Sequence, residues 1–133
     1  MEHGQKYYFI YPDGDVMSAI WRNNNVDNGI YNQNNVFKTR EEAELESKRR
    51  DLIAKIQRFR DECNEGKQLD WNKDNQPKFY IGYDKQREEC YVSCNRVLNT
   101  FVPFGYFTNH NDAELVIRDY GSEIKRLFIE VEK

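Results

Sequence analysis

Phe37-Lys38-Thr39-Arg40-Glu41-Glu42-Ala43-Glu44-Leu45 returns in the second half of the chain as Phe107-Thr108-Asn109-His110-Asn111-Asp112-Ala113-Glu114-Leu115. Phe, Ala, Glu and Leu coincide. Thr39 and Glu42 become Asn109 and Asp112, so each copy sets a side-chain acceptor three residues ahead of an acid. That is the capping-box spacing, in which the first residue accepts from the third helical N–H and the acid reaches back. Both stretches therefore read as the point where an aromatic extended segment turns into a helix.

The residues upstream of the two stretches also match. Lys6-Tyr7-Tyr8-Phe9-Ile10-Tyr11 is a run of aromatic and β-branched residues suited to a strand. Pro12 to Asp15 supplies turn chemistry, and Val16 to Arg22 a return strand. Alternation puts Val16, Ser18 and Ile20 on one face and Met17, Ala19 and Trp21 on the other. Lys78-Phe79-Tyr80-Ile81-Gly82-Tyr83 repeats the opening, with a turn over 84–87 and a return over 89–94. An offset of 72 sets Lys6 on Lys78 and Tyr8 on Tyr80, and an offset of 70 sets Phe37 on Phe107 and Ala43 on Ala113. The expected fold is α+β: a duplicated strand–strand–helix unit, its antiparallel sheets packed on one long and one shorter helix. One domain spans 1–133, with pseudo-repeats 6–66 and 77–128 joined by the polar linker 67–76.

The long helix is expected from about residue 40 to about residue 65. Leu45, Leu52, Ile56, Phe59 and Cys63 share a face, and Gly66 is placed to stop it. The second helix is expected to end near Tyr120-Gly121, with Ser122 capping a further turn or two over 123–128. An extended or frayed tail follows from Ile129 to Lys133. Residues 23–35 hold eight Asn or Asp in thirteen positions, which predicts a long loop with a short strand near Ile30.

The chain of 133 residues carries 20 basic and 23 acidic side chains, a net charge of −3, which argues against general nucleic-acid binding. No apolar run reaches membrane-span length, and Met1 to Lys6 lacks the pattern of a signal peptide. Three cysteines, Cys63, Cys90 and Cys94, make an odd count that suits free thiols in a reducing cytoplasm. The expected setting is the cytoplasm of a host cell.

No reaction is announced. Cys90 and Cys94 share a strand face, but only Cys63, His3 and His110 could complete a metal site with them. Asn23, Asn25 and Asp27 alternate like the start of a calcium loop, yet Gly falls at 29 and Asn34 stands where the closing Glu belongs. Ser18, Ser47, Ser93 and Ser122 lie in no nucleophile motif, His110 falls in the first turn of a helix, and no phosphate loop is present. The expectation is a non-enzymatic protein with no metal and no cofactor.

The side chains best suited to a binding surface are Trp21, Arg22, Asn24, Asn25, Asp27 and Tyr31, with Trp71 in a second cluster. Aromatic and Arg side chains supply rigid contact area, and Asn supplies adaptable hydrogen bonds. The alternative is capture of single-stranded nucleic acid or a nucleotide by exposed strand aromatics, with Lys6, Lys78, Lys85 and Arg87 nearby.

Tyr7-Tyr8-Phe9-Ile10, Trp21, the run from Asn35 to Glu44 and Asp112-Ala113-Glu114 together resemble small accessory proteins of phages and prophages of Gram-positive bacteria. The resemblance covers most of the chain. It implies a setting in which small non-enzymatic proteins bind and block a host defence complex or nuclease, in an anti-CRISPR-like manner. It transfers no functional residue.

Overall fold

The computed structural model describes residues 1–130. Strands β1 (Lys6–Ile10) and β2 (Val16–Ile20) are followed by helices α1 (Asn25–Asn32) and α2 (Arg40–Cys63). Strands β3 (Lys78–Asp84) and β4 (Glu89–Asn95) and helix α3 (His110–Ile124) complete the second set, and a π-helical segment covers Lys125–Ile129. The fold is α+β, with two separate two-stranded antiparallel sheets. No helix among the described residues is long and apolar enough to cross a membrane.

The chain forms two compact units, Met1–Asp51 and Leu52–Lys133, and the division falls within α2. In the first unit Lys6 pairs with Ile20 and Ile10 with Val16. Beyond β1, Tyr8 and Phe37 exchange both backbone hydrogen bonds (2.9 Å each). The Asn35 amide then bonds both the N–H and the C=O of Ile10 (2.9 Å each), as a strand backbone would. In the second unit Lys78 pairs with Asn95 and Asp84 with Glu89, and Phe79 exchanges its bonds with Phe107.

These bridges correct the alignment of the repeats. Phe37 corresponds to Phe107 as expected, and Ala43 and Ala113 are both fully buried behind them. The strand residue held by that Phe is Tyr8 in one unit and Phe79 in the other, so Tyr8 matches Phe79 rather than Tyr80. A slip of one residue turns every side chain to the opposite face. Tyr7 therefore matches Lys78, and both are buried, whereas Lys6 is exposed.

The Asn-rich stretch is the second correction: it contains helix α1 where a loop was expected. Asn24 caps α1, its Oδ1 accepting from the N–H of Asp27 (2.8 Å), and Asp27 reaches back to the N–H of Asn24 (3.4 Å). Asn34, at φ 55°, ends it in the left-handed region that Asn tolerates. Residues that break a helix in its middle are here used to start and stop one.

The third correction concerns α3, which does not stop at Tyr120-Gly121. It runs through both residues to Ile124, and Lys125–Ile129 continues as π-helix. Val116, Ile124 and Leu127 are buried on it. That burial outweighs the cost of about 1 kcal/mol for a mid-helix Gly. Ile129 and Glu130 thus keep helical backbone, and the rest of that tail, 131–133, lies outside the described residues. Helix α2 ends close to expectation at Cys63, ahead of Gly66 at φ 74°.

The segment 67–76, read from sequence as a linker between repeats, is built into the second unit. Asp70 N–H donates to Gln76 Oε1 (2.7 Å), and Gln76 Nε2 donates to the C=O of Gln68 (2.7 Å).

Candidate functional site

In the first unit the expected binding residues divide into a buried set and an exposed set. Trp21 is buried, edge-on to Tyr7 at 5.8 Å and to Tyr31 at 6.3 Å between centroids. Asp27 is buried as well. It accepts from the Tyr7 hydroxyl (2.7 Å) and the Arg22 N–H (2.7 Å) in addition to Asn24. The Tyr7 hydroxyl bond and then the backbone N–H groups hold its carboxyl below the ordinary value, against the effect of burial. Burial first, and then the bond to Asp27 and its charge, push Tyr7 up to about 12. Arg22, Asn24, Asn25 and Tyr31 remain exposed, but Asn24 is committed to its cap. Trp21 and Asp27 are therefore framework of the surface and not part of it.

Trp71 lies in the second unit, half-buried, edge-on to Tyr106 at 4.9 Å. Lys78 Nζ lies 5.1 Å from its ring centroid. That ammonium is fully buried and donates to three carbonyls, those of Lys73, Gln76 and Arg96. Each of its three protons has an acceptor, which is what allows the charge to be buried without a carboxylate.

Arg96 begins a loop that sequence reasoning did not select. Val97, Leu98 and Phe101 stand on it with 58%, 65% and 88% of their surface exposed. Phe101 has φ 55°, a left-handed conformation that costs a residue with a Cβ about 1–2 kcal/mol. Its N–H donates to Asn99 Oδ1 (2.8 Å). Behind the loop, Tyr106 Oη accepts from the Thr100 N–H (2.9 Å) and Asn95 Nδ2 (3.0 Å), and bonds Thr100 Oγ1 (2.9 Å). Burial raises this phenol, but the bonds from Thr100 and Asn95 together bring it below its ordinary value.

The return of the loop is tied to α2. Gln57, Arg60 and Asn64 follow at helical spacing and donate to the C=O groups of Pro103 (3.2 Å), Phe104 (2.9 Å) and Tyr106 (2.9 Å). Gly105, at φ 74°, leaves open the space that the Arg60 guanidinium fills. A loop with three exposed apolar side chains is thus fixed at its root, its middle and its return. The sequence signal lies in Val97-Leu98 and Phe101-Val102-Pro103, apolar residues between turn residues, but the aromatic run from Phe101 to Phe107 reads equally as core.

Other concave regions offer less. A cleft of about 650 Å³ in the first unit lies between the Tyr11–Asp15 turn and Ser47–Asp51 of α2, open and lined by both signs of charge. His110 faces Glu114 at 3.6 Å on the surface of α3. Among the described residues no group of three or more His, Cys, Asp or Glu is placed to hold a metal ion. Comparisons with protein-family models, with curated proteins and with solved structures found no match to the chain.

Proposed function

We propose that the chain is a non-enzymatic protein-binding module whose contact surface centres on Val97, Leu98 and Phe101. The observation that carries this reading is the 88% exposure of Phe101 on a loop fixed from behind by Tyr106 and α2. An exposed Phe and Leu are unfavourable in water, and a left-handed backbone at Phe101 adds to that cost. The cost of exposure is recovered when the side chains enter an apolar pocket on a partner, and a fixed loop gives up little entropy on docking. The mode of action is occlusion of a working surface. The resemblance to phage and prophage accessory proteins supports a host defence complex or nuclease as the class of partner. The stacking alternative keeps Tyr11 and Tyr91 as exposed aromatics, whereas Tyr7, Trp21 and Phe107 are buried.

The test is affinity capture from a bacterial lysate with the wild type and with Leu98→Ser/Phe101→Ser. A partner that saturates at a fixed molar ratio is expected to be retained by the wild type. The loop variant should weaken it by about 30-fold or more, since a buried anchor contributes on the order of 2 kcal/mol. Circular dichroism should be unchanged. Turnover of a substrate by sub-stoichiometric protein, or binding that the loop variant leaves intact, overturns the reading. So does association with lipid vesicles in place of a protein.

A further inference from the structure

In the first unit the two sides of the hairpin are treated differently. The outer side of β1 is closed, Tyr8 by the backbone of Phe37 and Ile10 by the side chain of Asn35. The outer side of β2 is open. The bonds Trp21 N–H to Gln5 C=O and Tyr11 N–H to Asp15 C=O (2.8 Å each) set the odd-numbered residues as the pairs that bond across the hairpin. In an antiparallel ladder the alternate residues then point their backbone groups away from the partner. Val16, Ser18 and Ile20 therefore direct N–H and C=O outward. One long bond, Arg40 Nη1 to the Val16 C=O (3.3 Å), is the cover they receive among the described residues.

Natural sheets guard such an edge with charge, proline or a bulge. Val16-Met17-Ser18-Ala19-Ile20 has none of these, and Met17 and Ile20 are 45% and 42% exposed. We propose that this edge docks a second copy of the chain, by antiparallel pairing of Val16–Ile20 with its own counterpart. A twofold axis through Ser18 sets Ser18 against Ser18, Val16 against Ile20 and Met17 against Ala19. The uncharged strand places no like charges opposite each other. The ends are complementary: Arg22 of one copy comes alongside the Asp13–Asp15 turn of the other, twice by symmetry. Ile20 N–H takes over the Val16 carbonyl from Arg40. The inference is independent of the Val97–Phe101 surface, which belongs to the other unit.

A five-residue strand pair lies at the small end of specific interfaces, so the dimer is concentration-dependent. Sedimentation equilibrium of the full chain up to about 1 mM should show reversible monomer–dimer association. Ser18→Lys sets two ammonium groups face to face on the axis and should weaken the association about tenfold or more. Arg22→Asp leaves the strand untouched and should also weaken it, less strongly. Val92→Lys, at the centre of the other outer strand β4, should leave it unchanged. A chain monomeric at about 1 mM overturns the proposal. So does a dimer insensitive to Ser18→Lys and Arg22→Asp, or one that Val92→Lys dissociates.

Discussion

Tyr7 and Lys78 occupy the same place in two units built on the same plan, one residue before the strand position that a phenylalanine bridges. Each is buried, and each ends in a polar group that must find a partner. The first unit answers with a carboxylate: Tyr7 donates to Asp27, which at the same time starts helix α1. The second answers with backbone: Lys78 donates to three carbonyls of the segments that flank β3 and β4. Around these locks the apolar cores differ. Tyr7, Trp21 and Ala43 are the fully buried apolar side chains described in the first unit, whereas the second buries Leu52, Ile56, Ile81, Phe104, Phe107, Val116 and others. A repeated topology therefore fixes where a buried polar tip falls, and each copy has satisfied it with whatever lies nearby.

The sharpest test sets the two lysines against each other. Lys78→Met leaves three carbonyls without their donor and should cost about 3 kcal/mol or more. Lys6→Met, on an exposed side chain, should stay within about 0.5 kcal/mol. Urea denaturation of each variant reads both. Equal losses would break the equivalence of Tyr7 and Lys78 and restore Lys6 as the match.

Next in size is Tyr7→Phe, which removes a buried bond to a charged acceptor and should cost on the order of 2 kcal/mol. Each unit carries one tryptophan, so Trp21 fluorescence in a Trp71→Phe background follows the first unit alone. The pH dependence has a definite sign. The folded carboxyl of Asp27 is held low, so its contribution is complete above the ordinary carboxyl range and is lost as the pH falls. The folded phenol of Tyr7 is held up at about 12 from 10.0, so its contribution is complete below pH 10 and is lost as the pH rises from 10 to 12. Tyr7→Phe should reduce the alkaline loss by the Tyr7 share, leaving that of the Cys63 and Cys90 thiols, which burial also pushes up. An alkaline loss of unchanged size would move the lock to another group.

The smallest effects are at the caps. Asn24→Ala, Thr39→Ala and Asn109→Ala each remove a side-chain acceptor from a helix start and should each cost about 1 kcal/mol. Asn24→Ala should be the largest of the three, because Asp27 depends on the same turn. Thermal melts that rank Thr39→Ala or Asn109→Ala above it would show that the first unit does not hinge on α1.

Much of this architecture was legible in the sequence, for local reasons. Aromatic runs, Pro-Asp-Gly turn chemistry and acceptor–acid caps act within a few residues, and they placed all four strands and α2. What was missed depends on distance. Whether Phe79 or Tyr80 faces Phe107 is decided by a bridge to a residue far along the chain, and nothing in Lys78-Phe79-Tyr80 marks the slip. The eight Asn and Asp of 23–35 read as breakers because composition does not say which Asn will be an end and which a middle. Trp21 and Asp27 were placed on the surface for their chemistry, and the Tyr7 hydroxyl, which lies outside the stretch, brings Asp27 inside. Nothing local marks the loop at Val97–Phe101 as a surface, because exposure of an apolar residue is a tertiary property.

The cage around Lys78 also imposes an order of events on folding. Its acceptors on Lys73 and Gln76 are close in sequence, but the third, on Arg96, arrives only when β4 has come back beside β3. An ammonium stripped of water before that moment would have too few acceptors, so the charge keeps its hydration until the hairpin has zipped. The segment 67–76 can close over Nζ only afterwards, bringing Trp71 down as it does so. The hairpin is then the early, local event and the closing loop the late one. Because Arg96 is also the root of the Val97–Phe101 loop, the near end of that loop is set in place with the hairpin, in the earlier step.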